Sequence, residues 1–430
     1  MQPSSYQEAL GSLYRLQKFG IKFGLSQTAH LLEAFGNPHL GERYVHIAGT
    51  NGKGSVSVFL AAILEEAGYR VGFYSSPHLV RFTERFRING EEMSPQEAVS
   101  LIRETLGAIV PEEPPTFFEA VTAMALVYFK RRQTDLAILE VGMGGRLDAT
   151  NLVTPFVSAI TNISLEHQAY LGRTLRQIAW EKAGIIKPGV PVFTAAQQPA
   201  VLSVFEGIAR EKGAPLYRIG KEIRYRKTPR GLNFYGRFQS LRDLQLGLRG
   251  CYQSRNAALA LALAEELRET GWAVSEEHMR RGLQKAFWPG RMHVVSEEPV
   301  IVLDGAHNPA AMRHLAAAVQ SEFPGRRLIL VIGIMEDKDI PGVLSGILPI
   351  SSYVIYTRPV YARAADPKQL MSAAGTHAPP GETVGSIPEA IARARSLAGK
   401  EDVILICGSL FTVGEALVVF DPLRNQPDPP

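Results

Sequence analysis

The stretch Val45-His46-Ile47-Ala48-Gly49-Thr50-Asn51-Gly52-Lys53-Gly54-Ser55 decides the fold class. An apolar run enters a glycine-rich turn, and a helix-period segment follows at Ser55–Ala67. Glycines 49, 52 and 54 let backbone N–H groups converge on an anion. The helix N-terminus adds positive potential, and Lys53 brings a full charge. The stretch departs from G-x-x-x-x-G-K-[ST], because Ile47 stands for the first glycine and Gly54 separates Lys53 from Ser55. A phosphate loop is expected; the bland alternative is a tight strand–helix turn with a solvated lysine.

Working outward, short apolar runs recur at Tyr44–Ala48, Val71–Tyr74, Leu136–Val141, Phe156–Ile160, Val300–Leu303, Leu328–Ile332, Tyr353–Tyr356 and Val403–Ile406. Helix-period segments lie between them, at Ser55–Ala67, Phe117–Arg131, Leu175–Ala183, Arg255–Leu267 and Ala310–Val319. Such alternation predicts an α/β fold with mostly parallel sheets. From Leu216 to Gly250 the pattern turns to short alternating stretches, which predicts a small antiparallel β section. Trp288-Pro289-Gly290-Arg291 then breaks a helical run. This places a domain junction there, giving a P-loop ATPase-type domain over 1–288 and a C-terminal Rossmann-like α/β domain over 289–430. Met1–Gly20 reads as an amphipathic helix, and the tail with Pro427, Pro429 and Pro430 as disordered.

The 430 residues suit two domains, and 46% hydrophobic with 20% charged residues is ordinary globular composition. A net charge of +4 without a long basic run gives no reason to expect nucleic acid as a partner. Cys251 and Cys407 are far apart, which argues against a zinc site or a disulfide framework and for a reducing compartment. No apolar run reaches the ~18 residues of a membrane span, so a cytoplasmic protein with no membrane partner is expected.

Candidate chemistry clusters after the apolar runs. Leu136-Ala137-Ile138-Leu139-Glu140 ends in a carboxylate, a placement that suits Mg²⁺ directly or through water. Gly142 to Asn151 form a glycine-rich polar loop, of the kind that builds ligand sites at strand ends. His167 lies beyond the next run and is, on residues alone, as easily solvated as catalytic. Lys182 ends a helical segment, where the helix dipole suffices to explain a cation.

Together these pieces resemble the folylpolyglutamate synthase/dihydrofolate synthase family, a branch of the Mur ligase superfamily. The matching stretches are HIAGTNGKGS (46–55), SSPHLVRFTERFRING (75–90), TFFE (116–119), LEVGMGGRLDATN (139–151), LEHQAYLG (165–172), EKAGIIKPG (181–189), WPGR (288–291), LDGAHNP (303–309), GIMEDKD (333–339) and CGSLFTVGEA (407–416). They follow the family's order across nearly the whole chain. The resemblance implies that Thr50, Asn51, Gly52, Lys53, Gly54 and Ser55 hold the ATP phosphates. Asn256, Arg291, Asp304 and His307 would complete the nucleotide site. Ser76, Glu140 and His167 would be magnesium ligands, and Lys182 matches a lysine that the family carries as a carbamate able to bind a second metal. Lys53, Lys182 and His167 would carry catalysis. Gly20, Ile21, Lys22 and Phe23, with Thr116, Phe117, Phe118 and Glu119 and with Leu147, Asp148 and Ala149, would take the pteridine substrate. The 20–23 stretch stands where bifunctional members often carry an aspartate, while Arg146-Leu147-Asp148-Ala149 resembles the bifunctional bacterial loop.

The implied reaction is ATP-dependent ligation of L-glutamate to tetrahydrofolate and to 7,8-dihydropteroate through an acyl phosphate, with ATP and Mg²⁺ required and a monomer expected. A folylpolyglutamate synthase without the second activity, a P-loop kinase or regulatory NTPase, a sister Mur ligase and a non-catalytic nucleotide-binding module are the alternatives.

Overall fold

The computed structural model describes residues 5–20, 22 and 24–428. Ile21 and Phe23 of the expected pteridine site lie outside the described residues. An eight-stranded sheet runs in the order Glu91–Glu92, Phe86–Ile88, Val71–Tyr74, Leu136–Glu140, Tyr44–Ala48, Val157–Ile160, Val192–Thr194, Leu216–Arg218. All neighbours are parallel except the two pairings made by Phe86–Ile88. Strand alternation divides its side chains between two cores: Leu136 and Ile138 face one, Ala137 and Leu139 the other. The first core is closed by helices Lys53–Glu66 and Gln253–Glu269, the second by helices Tyr6–Tyr14, Pro95–Gly107 and Phe117–Arg131.

A second sheet of six strands runs His293–Glu297, Val300–Leu303, Val403–Cys407, Leu328–Ile332, Tyr353–Tyr356, Gly381–Thr383, antiparallel only at its first pair. Helices Pro309–Glu322 and Leu410–Phe420 cover opposite faces. The protein is thus α/β, with two mostly parallel sheets in two domains.

Two expectations need correction. The antiparallel section is real but narrower: Arg224–Thr228, Gly231–Tyr235 and Ser240–Leu244 form a three-stranded sheet, while Leu216–Arg218 is the parallel outer edge of the large sheet. An outermost strand is half solvated and so lacks the continuous apolar run of a buried parallel strand. The tail is not loose up to residue 428. Asp428 accepts hydrogen bonds from the Tyr6 hydroxyl at 3.0 Å and the Phe82 N–H at 2.6 Å. The Arg81 guanidinium donates to the Arg424 carbonyl at 2.7 Å. These polar groups satisfy one another across the two domains, so a Pro-rich composition did not leave the segment unpaired.

Candidate active site

Four parallel strands bring their C-terminal ends to one edge of the large sheet. Ala48 opens into the glycine loop, Glu140 ends its own strand, Ile160 leads to Thr161, and Tyr74 leads to Ser75 and Ser76. Ligand sites in open α/β sheets form at this edge. The glycine loop passes into helix Lys53–Glu66, with Gly52 at its cap in the left-handed region (φ 88°).

The glycines are required by close approach. At Gly49 (φ 141°) a Cβ would lie 1.9 Å from Thr161 Oγ1. That hydroxyl donates to the Asn51 carbonyl at 2.6 Å, while the Asn51 N–H donates to Asn162 Oδ1 at 2.9 Å. A Cβ on Gly52 would meet Asn256 Oδ1 at 2.7 Å, and one on Gly54 would meet Trp288 Nε1 at 2.9 Å. The Thr50 hydroxyl accepts from the Ser164 N–H at 3.1 Å. The loop is therefore braced on the Thr161–Ser164 segment. Ser55 is buried, and its hydroxyl accepts from Gln253 Nε2 at 3.3 Å; Asn256 in turn donates to Gln253 Oε1 at 2.8 Å.

Lys53 Nζ donates to the Gly49 carbonyl at 3.1 Å and stands 3.9 Å from Glu140 Oε1. Burial pushes the Glu140 carboxyl up, opposed by Lys53, by Arg291 and by a hydrogen bond from the Ser76 backbone. Ser76, Glu140, Gly54, Trp288 and Arg291 line one narrow cleft with Leu410 of the second domain. Lys182 does stand in the last turn of helix Leu175–Ala183, where a cation suits the dipole, but the dipole is not its only partner. It is buried, donates to the Gly49 carbonyl at 2.9 Å and pairs with Glu166 at 2.9 Å. Burial works against the Glu166 carboxylate, but Lys182 and Lys53 overcome it and hold the group at about 2. Burial lowers the Lys182 ammonium despite Glu166. His167 is exposed, in the left-handed region (φ 46°). Protein groups packed around it still desolvate the ring in part and lower the imidazole, while Glu166 raises it and Lys338 of the second domain lowers it further. Among the described residues no three His, Cys, Asp or Glu side chains gather into a metal cluster. Glu140 with Ser76 remains an oxygen-donor pair beside the phosphate loop, and Mg²⁺ is commonly held by one or two carboxylates together with phosphate oxygens.

The second domain closes the site. Buried Asp304 accepts from the Met292 and Ala306 N–H groups, each at 2.9 Å, and from the Tyr252 hydroxyl at 3.3 Å. Burial raises its carboxyl against the pull of Arg291. The His307 ring meets the Gly305 carbonyl through Nδ1 at 2.9 Å, and burial takes its imidazole down to about 4.

The expected pteridine residues divide by role. Thr116 and Glu119 form a capping box at the start of helix Phe117–Arg131, with Thr116 Oγ1 accepting from the Glu119 N–H at 3.2 Å and Glu119 accepting from the Thr116 N–H at 2.7 Å. Phe117 stacks on Tyr14 with centroids 5.4 Å apart, and a Cβ on Gly142 would meet the Phe118 ring at 2.3 Å. Asp148 holds its own loop, accepting from the Met143 N–H at 2.9 Å and the Thr150 hydroxyl at 2.5 Å. Ala149 is buried and Leu147 half-buried. Gly20 and Lys22 are exposed, with Lys22 donating to the Pro114 carbonyl at 3.3 Å. Sequence reasoning missed Thr161, Asn162, Gln253, Trp288 and Asn308 as site-shaping side chains; Trp288 and Asn308 lay inside quoted motifs and could have been found there.

The Mur ligase middle domain matches residues 47–264, and the Mur ligase glutamate ligase domain matches 290–410. The chain spans about half the length of two curated relatives that it matches, each named "Probable bifunctional folylpolyglutamate synthase/dihydropteroate synthase". They come from Haloferax volcanii (38% identical, 96% of this chain, 50% of the relative) and Halobacterium salinarum (40%, 96% and 51%). The Bacillus subtilis dihydrofolate synthase/folylpolyglutamate synthase is 34% identical over 96% of this chain and 98% of its own. Among solved structures, E. coli FolC in complex with DHPP and ADP superposes with a TM-score of 0.90 at 37% identity, covering 99% of each chain. The chain therefore belongs to the folylpolyglutamate synthase/dihydrofolate synthase family of Mur ligases.

Proposed function

We propose that the chain is an ATP-dependent ligase that joins L-glutamate to the carboxylate of tetrahydrofolate and of 7,8-dihydropteroate. One observation carries the ATP half of this reading: Lys53 of a braced phosphate loop faces buried Glu140 in a cleft that Arg291 and Leu410 close. The folate and glutamate half is supported by family membership and by the E. coli relative holding DHPP and ADP. The domain boundary is proposed at 288/289.

Joining a carboxylate to an amine in water needs a better leaving group than oxide. Transfer of the ATP γ-phosphoryl group to the substrate carboxylate supplies one, giving an acyl phosphate and ADP. Attack by the glutamate amine then forms the C–N bond, and inorganic phosphate leaves. Thr50, Asn51, Gly52, Gly54 and Ser55 shape the phosphate cradle, and Lys53 offsets the charge there. Asn256, Arg291, Asp304 and His307 bound the nucleotide from the other side. Burial raises the Glu140 carboxyl despite Lys53 and Arg291, and an oxygen-seeking cation beside it would favour the carboxylate. Mg²⁺ held by Glu140 and Ser76 would neutralise phosphate charge. His167 is proposed as a further magnesium ligand, and Lys182, as a carbamate, as the ligand of a second metal. The 20–23 stretch, Thr116, Phe117, Phe118 and Glu119, with Leu147, Asp148 and Ala149, are assigned to the pteridine, and closure of the cleft keeps water from the acyl phosphate. The reading includes a monomer in the cytoplasm, a reducing compartment in which the free thiols of Cys251 and Cys407 persist.

The test is a product assay by mass spectrometry. Protein, ATP, Mg²⁺ and glutamate are incubated with either 7,8-dihydropteroate or tetrahydrofolate. A glutamyl mass gain on both acceptors is expected; gain on neither defeats the proposal, and gain on tetrahydrofolate alone reduces it to the single activity.

A further inference from the structure

Asn51 and Asn308 stand 257 positions apart, on the phosphate loop and on the second domain, and their side-chain amides pair reciprocally. Asn308 Nδ2 donates to Asn51 Oδ1 at 2.9 Å, and Asn51 Nδ2 donates to Asn308 Oδ1 at 3.3 Å. Each partner is fixed within its own domain. Asn51 is held through its backbone by Asn162 Oδ1 and Thr161 Oγ1, at 2.9 and 2.6 Å. Asn308 is buried and caps helix Pro309–Glu322, its Oδ1 also accepting from the Ala311 N–H at 2.8 Å. A two-way amide pair has narrow geometric tolerance, because both links survive in only one relative placement of the two groups. With both ends immobilised, that placement is a placement of the domains. Leu79 against Gly414 brings the same two halves together by shape, and the Tyr252–Asp304 and Arg81–Arg424 hydrogen bonds join them away from the glycine loop.

We propose that the Asn51–Asn308 amide pair is the contact through which docking of the second domain is registered at the phosphate loop, with Asn308 a positioning residue for the transfer step. The proposal rests on the ligase reading above. In the docked arrangement the pair fixes the Asn51 side chain, and with it the loop that faces Glu140. An undocked second domain leaves that side chain without its partner, so phosphoryl transfer is restrained until the cleft has closed over the acceptor.

Asn308→Ser keeps an oxygen for the Ala311 N–H but is too short to reach Asn51. Asn308→Asp keeps both size and cap, replaces the donor by a second acceptor and adds a negative charge beside the loop. Spin labels placed on helices Pro95–Gly107 and Ile387–Leu397, away from the cleft, report the interdomain distance by pulsed electron resonance. The distance distribution should broaden in the serine variant and fall between wild type and serine in the aspartate variant. With turnover, kcat should drop roughly tenfold in the serine variant, while the equilibrium Kd for ATP changes less than about twofold. In a double-mutant cycle with Asn51→Ala, the second substitution should add little to the first. Unchanged distance distributions, or kcat losses that multiply independently, overturn the proposal. The distance measurement needs no product, so it stands apart from failure of the ligase reading, which would show as absent product in the wild type.

Discussion

Replacing His46 by glutamine should flatten the acid side of the protein's stability curve. His46 is fully buried on the central strand of the large sheet. The Thr150 hydroxyl donates to Asp148 Oδ1 at 2.5 Å, so the His46 Nε2–H, 2.8 Å from Thr150 Oγ1, donates to that oxygen. The imidazole is therefore held neutral, and burial, with Lys187 adding to it, takes it from 6.5 down to about 3. The unfolded chain takes up a proton at this residue below 6.5, and the folded chain only near 3. Between those values the unfolded state binds more protons, so stability falls as pH falls. The contribution is complete above 6.5 and shrinks by ~1.4 kcal/mol per pH unit below it. From about pH 7.5 to about pH 5 the loss is roughly 2 kcal/mol. Glutamine keeps an N–H donor toward Thr150 and cannot take the proton. Urea unfolding of both proteins across this range isolates the term, because the other titrating groups cancel in the difference. The wild-type advantage should shrink by about 2 kcal/mol toward acid; parallel curves would show that this histidine is not the buried neutral group described.

Three other perturbations have definite expectations. Lys53→Ala should cost at least about 10²–10³-fold in turnover, since it removes the cation beside the transferred phosphate; near-normal ligation in a steady-state assay would sink the phosphate-loop assignment. Lys182→Met strands Glu166 and should destabilise the fold by about 3–5 kcal/mol in denaturant titration. Because Glu166 titrates at about 2 instead of 4.5, its favourable share is present above 4.5 and lost as pH falls toward 2, so the variant should lose that acid limb, and an unchanged limb would count against the pair. Gly49→Ala forces a Cβ to 1.9 Å from Thr161 Oγ1 at a φ of 141°. It should cost about 2 kcal/mol or more and weaken ATP binding in calorimetry, and wild-type affinity would refute the packing argument.

How much of this was legible depended on how far each residue's partner lay along the chain. Leu328–Ile332 and Tyr353–Tyr356 have the bounds the sequence predicts, because strands buried on both faces must be apolar throughout. Phe86–Ile88, Val192–Thr194 and Gly381–Thr383 were not legible, being three-residue strands near sheet edges where packing, not pattern, selects the conformation. Lys53 and Glu140 were readable since strand, turn and helix are contiguous. The helix-end place of Lys182 was legible, but its burial was not, because its partners, Glu166 and the Gly49 carbonyl, lie 16 and 133 positions away. The TFFE segment was readable as important but not as a capping box carrying an aromatic face, since the box accounts for two residues and the folded neighbours for the others.

The two buried ion pairs at the site are unequal, and their inequality separates bracing from chemistry. Lys182 and Glu166 meet at 2.9 Å, with Lys182 also fastened to the Gly49 carbonyl, and Glu166 is held firmly ionised. That pair is closed: its charges answer each other, and it supports the phosphate loop from beneath. Lys53 and Glu140 stand 3.9 Å apart, and Glu140 is shifted toward protonation by its burial. Its charge is under-compensated, which is the condition for taking a cation together with phosphate oxygens. Carbamylation would replace the Lys182 ammonium by an anion beside Glu166, and two buried anions are tolerable only with metal charge between them. If Lys182 is the carbamate proposed above, the unmodified pair and a metal-bearing carbamate would be alternative states of one site, the first disfavouring the second until divalent cation is supplied.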